Sequence, residues 1–172
     1  MRFIAFFVSM LACTGTDDSA DVVPALDLTE RLGVDRSRAG QVVDPLSLVG
    51  GVSADGRLGD YKIYNDRAQF IVQGLRDGHY YVRYGGAVID ADMVRVDGAT
   101  GRDIIDDMAV MAGLGRMCEP DSIDVVHDGS SGGAAVIRVI CHSAPMELVT
   151  GTLESMDVIP HREVRFVTDY IL

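Results

Sequence analysis

Asp90-Ala91-Asp92 sets two carboxylates two positions apart in a strand-like stretch, so both fall on one side of the chain. Such a pair can hold Ca²⁺ if other oxygens join it, since calcium takes roughly six to eight ligands. No EF-hand spacing or acidic repeat accompanies it, and a solvated or turn-capping pair is the commoner outcome, so no metal is expected. Asp103, Asp106 and Asp107 form a second acidic group that suits the positive end of a helix better than a cation site. Tyr61, Tyr64, Tyr80, Tyr81 and Tyr84 crowd one region. Tyr81 and Tyr84, with Arg83, Asp90 and Asp92, could stack on and hydrogen-bond a sugar, although strand tyrosines more often pack at a core edge. These five residues are the candidate ligand-binding set, with carbohydrate as the partner they would take. His79, His127, His142 and His161 are scattered, without HxH or HExxH spacing. Ser130-Ser131 lies in Gly-Ser-Ser-Gly-Gly, which is neither a GxSxG nucleophile elbow nor a lysine-bearing phosphate loop. Spacing therefore assigns no catalytic residue and no cofactor.

The elements that must position these groups read mostly as strands. Tyr61 to Tyr64 and Arg67 to Gln73 flank Asn65-Asp66, a good two-residue hairpin turn because both residues tolerate positive φ. Tyr80 to Tyr84 and Ala87 to Ile89 are short candidate strands around Gly85-Gly86. Ile104, Ile105, Met108, Met111 and Ala112 recur at helical spacing, which predicts one short helix capped by Asp103 and ended by Gly113. Ser122 to Val126, Ala134 to Cys141 and Met146 to Leu153 follow as strands, the first two joined by the turn His127 to Gly133. Val164 to Leu172 alternates with one clearly apolar face. The chain ends inside that strand, which suggests a truncated domain. Pro45 and Gly50-Gly51 mark the entrance to the folded region, and residues 14–43 read as tether and irregular lead-in, with one helical turn at most between Leu26 and Leu32.

Cys13 closes an apolar run and opens a polar, acidic one. Arg2 is a one-residue basic start and Phe3 to Val8 an apolar core, too short to span a bilayer, which needs about 20 such residues. The order is that of a secretory signal. Met10-Leu11-Ala12-Cys13 resembles the lipobox of bacterial lipoproteins, with Met10 where the commonest pattern has Leu. The resemblance implies a signal peptide over 1–12, cleavage before Cys13, and lipid on its thiol as the link to a membrane. Thr14 to Asp21 has the composition of a flexible tether. Thr14 stands where an inner-membrane retention signal has Asp, which favours the outer membrane or cell surface. With Cys13 lipidated, Cys118 and Cys141 remain. An oxidising compartment lets them pair, and two buried free thiols are the alternative.

The chain of 172 residues carries a net charge of −11, with 48% hydrophobic and 24% charged residues. It is long enough for one real core. No Lys/Arg cluster provides a nucleic-acid footprint. Nineteen glycines and no tryptophan accompany the strand-like patterning. The expected organisation is a signal peptide at 1–12, a lipidated tether and lead-in at 13–44, and a β domain at 45–172.

Gly59 to Val72 followed by Gly85 to Asp92 is similar to the N-terminal domain of large, mostly uncharacterised secreted lipoproteins of gram-negative bacteria. The order "strand, Asn, strand, Gly-Gly, strand" more distantly resembles the opening of galactose-mutarotase-like domains, and Val167 to Leu172 resembles a mid-domain strand of that fold. The resemblance implies an antiparallel β-sandwich, often carried in chains with further domains. With the one short helix read from spacing, the expected fold is mostly β: an antiparallel β-sandwich with one short helix, or a truncated supersandwich. It transfers no catalytic residues, because the histidine pair and carboxylate of the mutarotase pattern have no matching positions. Two functions follow as expectations. One is a lipid-anchored exported β-sandwich module with a binding or structural role. The other is the non-catalytic N-terminal part of a larger carbohydrate-active or metal-dependent hydrolase.

Overall fold

The computed structural model describes residues 26–78, 81–95, 101–111, 115–146 and 163–172. Among these residues, seven strands form two antiparallel sheets. The first is a meander of β1 (Ser37–Gln41), β2 (Tyr61–Asn65), β3 (Ala68–Val72) and β4 (Val88–Met93), in that order. The second is a meander of β5 (Arg116–His127), β6 (Val136–Pro145) and β7 (Arg165–Ile171).

Alternation decides which side chains meet between the sheets. Ala39, Ile63, Val72 and Val88 of the first sheet share one core with Ile123, Ile137, Val139 and Cys141 of the second. The sheets therefore pack as a sandwich. Two tyrosine hydroxyls reach across it: Tyr61 donates to the Ile123 carbonyl at 3.1 Å, and Tyr170 donates to the Gly86 carbonyl at 2.7 Å. Each buries its ring while satisfying its polar end. Cys118 and Cys141 are joined within this core, their Cα atoms 5.3 Å apart, bridging β5 to β6. On β7 the alternation is complete, with Phe166 and Tyr170 inward and Arg165, Val167, Asp169 and Ile171 exposed.

Asn65 closes the β2–β3 hairpin by accepting the N–H groups of Arg67 and Ala68 at 2.8 and 2.9 Å. The turn between β5 and β6 leans on the free edge of β1. Ala39 N–H donates to the Asp128 carbonyl, and the Ser37 hydroxyl accepts Ala135 N–H. Gly129 makes that approach possible: its φ is +77°, and a Cβ there would stand 2.1 Å from the Ser37 carbonyl oxygen.

Several expectations need correction. The helix from Asp103 does not form. Asp103 N–H donates to the Gly50 carbonyl, and Met108 exchanges both backbone bonds with Val88. Tertiary pairing thus takes the groups a helix would have paired internally. The apolar stripe is left outside, with Ile104 76% exposed and Met108 and Met111 also exposed. Asp103 still makes the capping contact, accepting Ile105 N–H at 3.3 Å. Ala112 and Gly113 lie outside the described residues. The one helical element described is the 3-10 turn Pro45–Ser47, capped by Asp44, whose carboxylate accepts Leu46 N–H. The sheet also begins before Pro45, because Ser37–Gln41 is a strand and not lead-in. Residues 26–32 form no helical turn, yet Leu28 and Leu32 are buried. β5 starts at Arg116, passing through Pro120, because β5 is an edge strand and its register shifts there, where a missing N–H is tolerated. Tyr84 contributes only an isolated bridge to Asp77. Most of the strand expected at Met146 to Leu153 lies outside the described residues, and Met146 itself is not in a strand.

Reducing the Cys118–Cys141 bridge, which spans 23 positions, is expected to lower the unfolding free energy by about 3 kcal/mol in the chain-entropy account. Urea unfolding with and without reductant measures this. Superimposable curves would show that the bridge adds nothing.

Candidate functional site

The outer side of the first sheet carries the polar chemistry. Cross-strand register aligns Gly40, Lys62, Ile71 and Asp90 in one row, and Arg38, Tyr64, Gln69 and Asp92 in the next. Residues 26–32 and 42–49 cover part of this face, where Leu28, Leu32, Val42 and Val49 pack on Tyr64, Ile71 and Ile89 as a second core. The cover is fastened by two side chains of β2. The Lys62 ammonium donates to the Leu28 carbonyl at 3.1 Å, and the Tyr64 hydroxyl donates to the Glu30 carbonyl at 2.9 Å. The ammonium also sits 4.7 Å from the centre of the Tyr64 ring, within cation–π range.

Lys62 is 5% exposed. Burial pushes its amine down to about 8, with the charge of Asp27 resisting the drop. Burial likewise pushes the Tyr64 phenol up to about 12. Beside these groups a cleft of about 270 Å³ opens between residues 28–31, residues 46–50, and Val94, Arg95 and Gly101. Asp92 lines it. Desolvation works against the charge of Asp92, but Arg95, with the N–H groups of Arg102 and Met93, holds its carboxyl below the ordinary range.

Three carboxylates next to this region are fully buried: Asp60, Asp90 and Asp103. Asp60 accepts from Gly74 N–H, Arg57 N–H and two nitrogens of Arg76. Asp90 accepts Asp55 N–H and Gly56 N–H at 2.8 and 2.9 Å. Asp103 accepts Ala91 N–H at 2.8 Å through Oδ1, while its Oδ2 has no hydrogen-bond partner. Burial pushes Asp90 up to about 6 against the pull of those two N–H donors, and the charges of Asp103 and Asp55 add to the rise. Among the described residues, no three His, Cys, Asp or Glu side chains are placed to hold a metal ion together.

Of the five residues expected to bind a sugar, Tyr84 and Asp92 line different recesses and Asp90 is fully buried. Tyr84 lines a recess with Arg76, Asp77, Glu119 and Pro120, and donates its hydroxyl to the Pro145 carbonyl. Tyr81 is about half exposed, and its backbone N–H donates to Asp107. Arg83 lends its carbonyl to Gly78 N–H. Asp90 is 0% exposed, and Asp92 lies in the separate cleft. Asp106 and Asp107 head no helix, and Asp107 instead organises the 81–82 backbone.

The serine beside His127 gains nothing from it. His127 Nδ1 accepts Gly129 N–H at 3.2 Å, so the neutral ring carries its proton on Nε2 and donates to Ser131 Oγ at 3.3 Å. A base must accept the serine proton, and this tautomer cannot. His142 lies between Asp121 and Glu119. Cys13, His79 and His161 fall outside the described residues.

Sequence patterning passed over Lys62, because alternation puts it on the face of β2 opposite Ile63, where a lysine is ordinarily solvated. One signal was available: Lys62 is the only lysine among 15 basic residues.

Asp90 yields a pH prediction. Its folded value lies above the ordinary 3.8, so the folded state holds the proton longer than the unfolded chain. Its stabilising contribution is full below about pH 4 and is lost as pH rises through about 6, by about 3 kcal/mol in all. The stability of the natural chain relative to Asp90→Asn should fall accordingly when followed by urea unfolding. A difference independent of pH across that window would refute the assignment.

No family model matches this chain, and no curated protein or solved structure matches it significantly.

Proposed function

We propose that the chain is an exported β-sandwich module, anchored by lipid on Cys13, with a binding role at the membrane surface. The observation that carries this reading is the disulfide. Setting Cys13 aside for lipid leaves Cys118 and Cys141, and these two are bonded inside the sandwich core. Such bonds persist in oxidising compartments. Met10-Leu11-Ala12-Cys13, after Arg2 and the apolar run, supplies the matching address. Among the described residues no helix is long and apolar enough to cross a membrane. Thr14 in place of Asp points to the outer membrane or cell surface. The polar outer side of the first sheet, with its cleft, is the surface such a module would present to a ligand.

Cys13→Ser is expected to leave the chain unprocessed or free of the membrane. Fractionation with metabolic fatty-acid labelling checks this. A processed, membrane-bound, labelled Cys13→Ser variant would overturn the anchor.

A further inference from the structure

We propose that the cleft beside Lys62 is a binding site for a small monocarboxylate with an apolar body, its carboxylate paired with the Lys62 ammonium. This names a ligand class for the binding role proposed above. It rests on that role only for its setting, since Cys13 is not among the residues that line the cleft and the pairing with Lys62 does not depend on lipid.

The argument starts from a missing counter-ion. Buried charges in proteins are ordinarily paired, because desolvation of an isolated ion costs several kcal/mol or more. Lys62 has a carbonyl and a ring, but no carboxylate of the described residues forms an ion pair with it. Every charged group facing it is engaged elsewhere or bears the same sign. Asp27, whose field reaches the amine, is held by the N–H and hydroxyl of Thr29. Glu30 pairs with Arg38, and Asp92 with Arg95. Arg31 lines the cleft without a carboxylate partner among the described residues. Among the described residues the two internal pairs cancel, and Lys62 and Arg31 against the one charge of Asp27 leave the cleft with a single net positive charge, in a chain of net charge −11.

The residue type sharpens the point. Elsewhere this chain uses arginine for fixed cations, as in the Asp60–Arg76 and Asp169–Arg138 pairs, where the planar fork makes two bonds to one carboxylate. At position 62 it uses the compact ammonium, which has three donors. One goes to Leu28 and another faces the Tyr64 ring, which leaves one for a ligand oxygen. Leu28, Leu46, Leu48 and Val94 supply apolar walls. The volume of about 270 Å³ is just under the range of drug-sized sites, so the ligand is small. A dianion such as phosphate would carry one negative charge more than that single net positive charge balances, and would bring it towards Asp27, which disfavours it.

Because the chain has one lysine, labelling with ¹³Cε-lysine gives a single reporter on the site itself. We would titrate the mature chain with pH, alone and with butanoate, benzoate, inorganic phosphate or sodium chloride at matched ionic strength. Alone, the lysine signal should titrate near 8, as burial dictates. Benzoate or butanoate should shift the signal saturably and raise its midpoint by about one unit or more, with affinity weakening about tenfold per pH unit above the free midpoint. Lys62→Met should abolish the binding. If that variant fails to fold, the titration of the natural chain decides alone. A lysine signal indifferent to both carboxylates, or moved equally by chloride, would overturn the site and leave Lys62 as a fastener of the 26–32 cover. A larger response to phosphate would overturn the monocarboxylate assignment. None of these outcomes touches the fractionation of the Cys13 variant, so the two proposals fail separately.

Discussion

The segment from Gly50 to Asp60 runs against the first sheet without joining it as a strand, so its backbone N–H groups need acceptors from elsewhere. Buried aspartates supply many of them. Asp90 takes the N–H groups of Asp55 and Gly56, Asp60 takes that of Arg57, and Asp103 fixes its own segment to Gly50 through its backbone. Asp60 extends the tie to Gly74 and Arg76. Without those oxygens the loops over the outer face would leave buried donors unpaired. The cost is a group of carboxylates out of water with Arg76 as the main compensating cation, and the raised Asp90 carboxyl is the visible sign of it. The cover over β2, the second core and the cleft are all built on this polar layer.

Much of the sandwich was legible in the sequence where local chemistry and tertiary structure agree. Asn65 turns the β2–β3 hairpin because its side chain serves the two donors that follow. Val164 to Leu172 shows its inner face in its alternation because β7 has one side on the core and the other exposed. The helix expected after Asp103 shows how the same reasoning fails. The spacing of Ile104, Met108 and Met111 is helical, but Val88 and Gly50 compete for the backbone groups, and a sequence pattern does not register that competition. Ser37–Gln41 was missed for a related reason. Its residues are small or polar, and they become a strand by pairing with β2 and by the approach of the Asp128–Gly129 turn.

The site was less legible than the fold. Tyr81, Arg83, Tyr84, Asp90 and Asp92 are close in sequence, but the backbone between Tyr84 and Val88 passes beneath the second sheet before β4 begins, where Tyr170 holds Gly86. Proximity along the chain therefore does not bring Tyr84 and Asp92 into one recess. Lys62 was hidden by the opposite effect. Its alternation marks a solvent face, and the 26–32 and 42–49 segments, remote from it in sequence, turn that face into an interior.

That segment also has a mechanical meaning. It is the first described part of the chain and is held to β2 by two side-chain bonds side by side, Lys62 to Leu28 and Tyr64 to Glu30. The ladder joining β1 to β2 comes after it. A pull arriving from the N-terminal side would load these two bonds one at a time, in the manner of a peeled strip. The ladder behind them would share the load among several bonds at once. The 26–32 strip is thus a yielding element in series with a stiffer sandwich, and tension would open the outer face of the first sheet before disturbing its core.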